Sequence, residues 1–309
     1  MMSPSTSSPF VPAAARARIA QLNRAQHPLS YSKLLERDTL QKALKNYKYP
    51  VLTLPSEVTS EIFVHFLPSY PKRTSFVGRC SPSLLLQVCR EWRDVALATP
   101  ELWSTFEVEM GYRDTSAVST RRQLLLVEWL ERSKDCPLSV ELVCPTSESP
   151  AIAAALLDAL VHHSHRWQDM KLVIAYQHLQ RIAGSVPILR DLHLDAEWTD
   201  NPSPLQSFTF HAPSLRQLGL NAGVHFNTFK DVFPWSLITV FNGDLYEHEA
   251  ALVLRSARAL EQCKIMIDSE SEETISVSPI PPLHHLKSLT LESEDAFKGH
   301  CWRMAIRVC

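Results

Sequence analysis

The sequence predicts an α/β chain, with helices in its first third and a parallel sheet in the remainder. Two observations carry this. Between Leu54 and Trp103 the apolar residues recur at helical spacing and are punctuated by prolines;. From Trp167 onward a starting apolar residue is followed by others at +3 and +5, and the triplet returns at a nearly constant interval. Composition agrees with a folded chain: 309 residues, 45% hydrophobic and 21% charged, with a net charge of −2;.

In chain order, residues 1–12 are Ser- and Pro-rich and read as a disordered tail;. Residues 13–48 read as a helical arm. The pattern is helical from Ala13 to Gln26, breaks at Pro28, and resumes from Ser30 to Tyr47 with Leu40, Leu44 and Tyr47 on one face;. Polar residues fill about half of the seam traced backwards, so the expectation is a single amphipathic arm and not a coiled coil. Residues 1–50 hold eight Lys/Arg against two Asp/Glu. Those charges lack interleaved aromatic residues, so they read as a solvated surface with no specific nucleic acid partner.

The stretch LPSEVTSEIFVHFLP begins a helix at Pro55, whose missing N–H suits a first turn; Glu57 favours that end electrostatically;. Val58, Ile62 and Phe66 form its apolar stripe, widened by Phe63 and Leu67. A second helix is expected from Ser81 or Ser83, through Leu85, Val88, Cys89, Trp92, Val95 and Ala96, to a stop at Pro100;. Leu102 and Trp103 follow at once. So short a segment cannot bury all this surface by itself, and some of it is expected to meet a partner.

In this order Leu54-Pro55, Ile62-Phe63, Leu67-Pro68, Val88-Cys89-Arg90-Glu91-Trp92-Arg93 and Pro100-Glu101-Leu102-Trp103 closely resemble the F-box, and particularly the F-box-like proteins of mushroom-forming fungi. The likeness covers about a sixth of the chain and departs from many F-boxes in the long insert PSYPKRTSFVGRCSP;. It implies an all-α F-box module over residues 50–110. It also implies docking on a Skp-type adaptor, and through it a cullin, by Leu54, Pro55, Ile62, Phe63, Val88, Cys89, Trp92, Leu102 and Trp103.

A linker helix is expected within residues 111–135, where Leu125/Trp129 and Leu126/Leu130 are i, i+4 pairs;. Residues 136–309 open with the alternating strand Leu138–Val143. The triplets then run Trp167/Met170/Leu172, Leu189/Leu192/Leu194, Leu215/Leu218/Leu220, Leu237/Val240/Asn242, Leu260/Cys263/Ile265 and Leu286/Leu289/Leu291. Their starts lie 22, 26, 22, 23 and 26 residues apart, which resembles an irregular leucine-rich-repeat solenoid with parallel strands near 170, 192, 218, 240, 263 and 289;. The fourth unit is defective at Asn242. The tail FKGHCWRMAIRVC offers no polar closing unit, so the expectation is either a poor cap or a truncated array;.

Nothing points to catalysis. There is no G-x-S-x-G, no P-loop and no clustered glycine among seven;. The seven cysteines form no C-x-x-C pair and read as free thiols in a reducing compartment;. His162, His163 and His165 lack a carboxylate or thiolate at ligand spacing and suit a polar helix end;. No apolar run approaches the roughly 20 residues that span a bilayer, and an intracellular place in cytoplasm or nucleus is expected.

The F-box resemblance implies a substrate receptor of a ubiquitin ligase complex, and the want of a catalytic, cofactor or metal motif makes its own part an expected non-catalytic one. Its repeat face would capture an unknown protein through Asp191, His193, Gln217, Gly219 and Lys264, the solvent-side positions between apolar ones;. The alternatives are a ligase-independent interaction scaffold and an enzyme domain without a recognisable motif.

Overall fold

The computed structural model describes residues 10–24, 30–47, 49–69, 71–111, 115–144, 150–197, 209–221, 229–268, 280–295 and 300–307. The tail 1–9, the NPSP return and the acidic stretch 269–273 lie outside them. The chain divides into two compact units, Met1–Thr59 and Ser60–Cys309.

In the first unit α1 (Pro12–Arg24) and α2 (Tyr31–Asn46) are followed by a 3-10 turn at Pro50–Thr53. They are the two helical stretches expected on either side of Pro28. Arg18 grips both carboxylate oxygens of Glu36 at 2.7 and 3.1 Å. Phe10 meets Tyr47 with ring centroids 5.5 Å apart, and Arg16 donates to the Tyr49 hydroxyl. These contacts join the start of one helix to the far end of the other, so the arm folds back as an antiparallel hairpin. The physical reason is that isolated helices of this length are marginal, whereas a hairpin covers Ala15, Leu22, Leu40 and Leu44 in part or in full;.

Helix α3 (Ser56–Val64) carries residues of both units. The second unit continues with β1 (Thr74–Ser75), a 3-10 turn at Pro82–Gln87, α4 (Arg90–Ala98), a 3-10 turn at Pro100–Trp103 and β2 (Thr105–Glu109). One helix was expected where the turn and α4 stand. Cys89 leaves helical geometry at φ −158° and its thiol accepts the Trp92 N–H at 3.5 Å, so the residue caps a new helix and interrupts the old one;. The segment 50–110 is not all-α either, because β1 and β2 belong to the sheet.

After α5 (Ser116–Arg132) come β3 (Leu138–Val143), α6 (Pro150–Val161), β4 (Trp167–Ala175), β5 (Gly184–Ser185) and β6 (Asp191–Glu197). Then follow β7 (Phe210–His211), β8 (Gln217–Asn221), β9 (Val240–Tyr246), α7 (Glu247–Ser256), β10 (Gln262–Asp268), β11 (Ser288–Asp295) and β12 (His300–Arg307). Ten strands form one open sheet in the order β1-β2-β3-β4-β6-β8-β9-β10-β11-β12, while β5 and β7 pair separately. Every neighbouring pair in the large sheet is parallel except β11 with β12. The expected parallel strands are therefore present at all six places. In the tail read as either a poor cap or part of a truncated array, β12 pairs along the whole of β11.

Register makes two apolar ladders. Phe106, Val140, Met170, Leu192, Leu218, Phe241, Cys263 and Leu289 stand side by side across successive strands, as do Val108, Leu142, Leu172, Leu194, Leu220, Gly243, Ile265 and Leu291. The fourth unit is one residue out from the sequence frame. Its start is Ile238, which is fully buried, and not Leu237, which is 37% exposed. Ile238/Phe241/Gly243 then fits the +3/+5 spacing, and Asn242 is no defect because it lies on the polar face. A Cβ on Gly243 would come within 2.8 Å of both the Phe241 ring and the Leu220 carbonyl oxygen, so the large aromatic fills the place its neighbour leaves empty.

A further unit escaped sequence reading. Trp103/Phe106/Val108 has the same spacing, and all three side chains are buried. Trp129 of α5 packs edge-on to Trp103 at 5.1 Å and contacts Phe106 and Phe76 at 5.5 and 5.0 Å, so the expected linker helix is part of the core.

Candidate functional site

Two surfaces of different character stand out. The first is apolar. On α3, Phe63 is 2% exposed and packs edge-on to Trp92 at 4.9 Å, which holds the helix against α4. The apolar stripe read from the sequence is turned outward: Ile62 is 48% exposed, and Val58 and Phe66 are exposed as well. Phe63 has taken the core position, and the helical spacing of about 100° per residue leaves i−5, i−1 and i+3 beside it in the water. Val88 at the break before α4 is 58% exposed, and Leu84 and Leu97 are exposed nearby in the chain. Leu54 and Pro55, in the first unit, are also exposed.

The other proposed adaptor-contacting residues are placed differently. Cys89 is half-buried and spends its thiol on the α4 cap. Trp92 is half-buried against Phe63. Leu102 and Trp103 are 0% exposed, and the Arg132 guanidinium lies 4.5 Å over the Trp103 ring. Their size made them attractive anchors in the sequence, but the sheet core claims them, so they offer no surface to a partner in this fold.

The second surface is the polar face of the sheet. One ladder runs Glu107, Glu141, Lys171, His193, Gly219, Asn242, Lys264 and Thr290; the adjoining one runs Thr105, Ser139, Asp169, Asp191, Gln217, Val240, Gln262 and Ser288. Glu141 is held between two cations, Lys171 Nζ at 2.6 Å and the Arg73 guanidinium at 3.4 Å. His193 extends over Gly219 and its Nε2 lies 3.2 Å from Asn221 Nδ2. Only glycine fits beneath that ring, since a Cβ would fall 2.0 Å from Nδ1. Burial first, and Lys171 second, lower the His193 pKa. Burial first, and Asp191 second, raise the Asp169 pKa.

No protein-family model, no curated protein and no solved structure matches this chain.

Of the five target-contacting residues named from sequence, Asp191, His193, Gln217 and Gly219 meet around one cavity of about 310 Å³ together with Arg73 and Lys171. Lys264 lies two strands further on and pairs with Glu292 at 3.3 Å. Lys171 was legible, because it holds the +4 place between Met170 and Leu172 that His193 holds in the next unit. Arg73 was not, since only the tertiary fold carries the insert to Glu141.

Arg166 is buried, donates from Nε to the Cys136 carbonyl at 3.0 Å and from NH2 to the Ser133 hydroxyl at 2.6 Å, and so ties the end of α5 to the start of β4. Among the described residues no group of three His, Cys, Asp or Glu is placed to hold a metal ion, and no helix is long and apolar enough to cross a membrane.

Proposed function

We propose that the chain is a non-catalytic substrate receptor of a Skp-cullin-F-box ubiquitin ligase, and that its sheet is an irregular leucine-rich-repeat-like solenoid. The observation that supports the docking half is the outward apolar stripe. Ile62 and Phe66 add nothing to the core that Phe63 fills, yet each leaves apolar area in water at a cost of about 25 cal/mol per Å²;. Such a face is explained by a partner, and the F-box resemblance names a Skp-type adaptor. In the second unit the docking set becomes Ile62, Phe66 and Val88, without the buried Phe63, Leu102 and Trp103.

What supports the solenoid is strand order. Sequential parallel neighbours with starts 22 to 26 residues apart, each burying its +3 and +5 residues, are how leucine-rich repeats stack;. The polar ladders then form an extended face suited to a captured protein, which ligase subunits beyond this chain would modify.

Binding of the full chain to a purified Skp-type adaptor tests the proposal. Ile62→Asp and Val88→Asp are expected to weaken it by about 2 kcal/mol or more each while helical content is unchanged. Undiminished binding in both folded variants would overturn the docking half. Recovery of the adaptor without a cullin from cells would favour the ligase-independent scaffold.

A further inference from the structure

A second cavity, of about 460 Å³, opens at the start of the strands, and its wall is made of two halves. Leu67, Pro137 and Leu138 form an apolar side; Ser139, Asp169 and Gln217 form a polar floor. Ser139 is 8% exposed, and its hydroxyl has no hydrogen-bond partner among the described residues although it is shut off from solvent. A buried hydroxyl left unpaired costs about 1–3 kcal/mol, so its retention in the floor of a cavity asks for a ligand. Asp169 stands beside it in register on the next strand, and Asp191 beside Asp169 on the strand after. Arg190 is exposed at the cavity and Arg73 is near enough to favour the Asp169 carboxylate. Neither prevails: burial first, and Asp191 second, hold the Asp169 pKa above its ordinary value;.

We propose that this cavity takes an arginine or lysine side chain of the captured protein, its methylene stem along Leu67, Pro137 and Leu138 and its cationic head on Asp169, Ser139 and Gln217. The ionised Asp169 carboxylate is acceptor-only, and Ser139 and Gln217 each offer an acceptor oxygen, which suits a head that carries only donors;. The apolar side suits the stem of the same residue. A 460 Å³ space accommodates such a chain, as it is within the ordinary range for ligand sites;. The proposal rests on the target-capturing half of the proposed function and on none of the adaptor-docking residues.

The test titrates Nα-acetyl-arginine amide, Nα-acetyl-lysine-free-amine amide and the neutral isostere Nα-acetyl-citrulline amide into the full chain, followed by amide NMR shifts. At least one cationic probe is expected to shift residues around Ser139 and Asp169, and to bind about tenfold tighter than citrulline, the difference a hydrogen bond to a charged group makes. Asp169→Asn should remove that preference. Ser139→Ala should weaken the cation while leaving thermal stability unchanged or raised, which a structural hydroxyl would not do. Equal binding of citrulline, an unaffected Asp169→Asn variant, or loss of stability in Ser139→Ala would each overturn the proposal. Adaptor binding, measured in the same variants, stays at the unsubstituted level if only this cavity is at fault.

Discussion

Trp103 and Trp167 make the same bond. Each indole Nε1–H donates to the backbone carbonyl seven residues upstream, Ala96 at 3.0 Å and Leu160 at 3.1 Å. In both places the acceptor lies in the last turn of a helix, where it also takes the backbone N–H three residues on, from Thr99 or His163, and the tryptophan opens a +3/+5 triplet of the sheet;. Helix end, indole and strand are thus one structural unit used twice.

Truncating either indole removes a large core side chain and one of the two donors on the helix-end carbonyl. Trp103→Ala and Trp167→Ala are each expected to cost about 3–5 kcal/mol in urea unfolding. For Trp103 the consequence is that any loss of adaptor binding accompanies loss of the fold. A well-folded Trp103→Ala chain with binding abolished would restore it as a contact residue.

Two glycines of the sheet should respond unequally to alanine. At Gly243 the new Cβ meets the backbone oxygen of Leu220, which cannot move alone, so Gly243→Ala should lose about 1–3 kcal/mol;. At Gly219 it meets the His193 ring, which can rotate away. Gly219→Ala should therefore cost under about 1 kcal/mol while His193 separates from Asn221, a change visible in the histidine NMR shifts;.

Acid should destabilise the second unit through its histidines. His163, His178 and His193 all have pKa values lowered from 6.5, in each case by burial first. The unfolded chain binds protons near that value and the folded chain binds them only at lower pH. Stability is thus fully present above 6.5 and is lost as pH falls through the folded values;. Melting temperature measured downward from neutral pH should fall, and His163→Gln, His178→Gln and His193→Gln together should flatten the slope. A slope unchanged in the triple variant would contradict this origin.

Thiol reactivity should divide by burial. Cys263 is buried among the apolar ladder and its pKa is pushed up to about 12, whereas Cys80 is exposed. Iodoacetamide at mildly alkaline pH should alkylate Cys80 in the native chain and reach Cys263 only after denaturation, as read by peptide mass spectrometry. Labelling of both at one rate would show that the tenth of the sheet around β10 opens freely.

The sequence by itself determined where the parallel strands run, because a solenoid-like sheet repeats a local rule. Burying residues at +3 and +5 and exposing the one between demands only spacing, and spacing is visible in Met170/Lys171/Leu172 as in Leu192/His193/Leu194. Local spacing leaves a one-residue ambiguity wherever apolar residues adjoin, as at Leu237-Ile238, and only packing resolved it, by seating Ile238 in the core and the Phe241 ring over Gly243. Helical periodicity likewise marked α3 as amphipathic but could not say which of its two apolar flanks the core would take. The contact of Phe63 with Trp92 decided that, and with it which residues face water. Trp103 was equally apolar as an anchor or as a core residue until β2 joined the sheet. The cation-lined Glu141 and the unpaired Ser139 hydroxyl arise between residues far apart in the chain, where one-dimensional spacing carries no information and the register of neighbouring strands carries all of it.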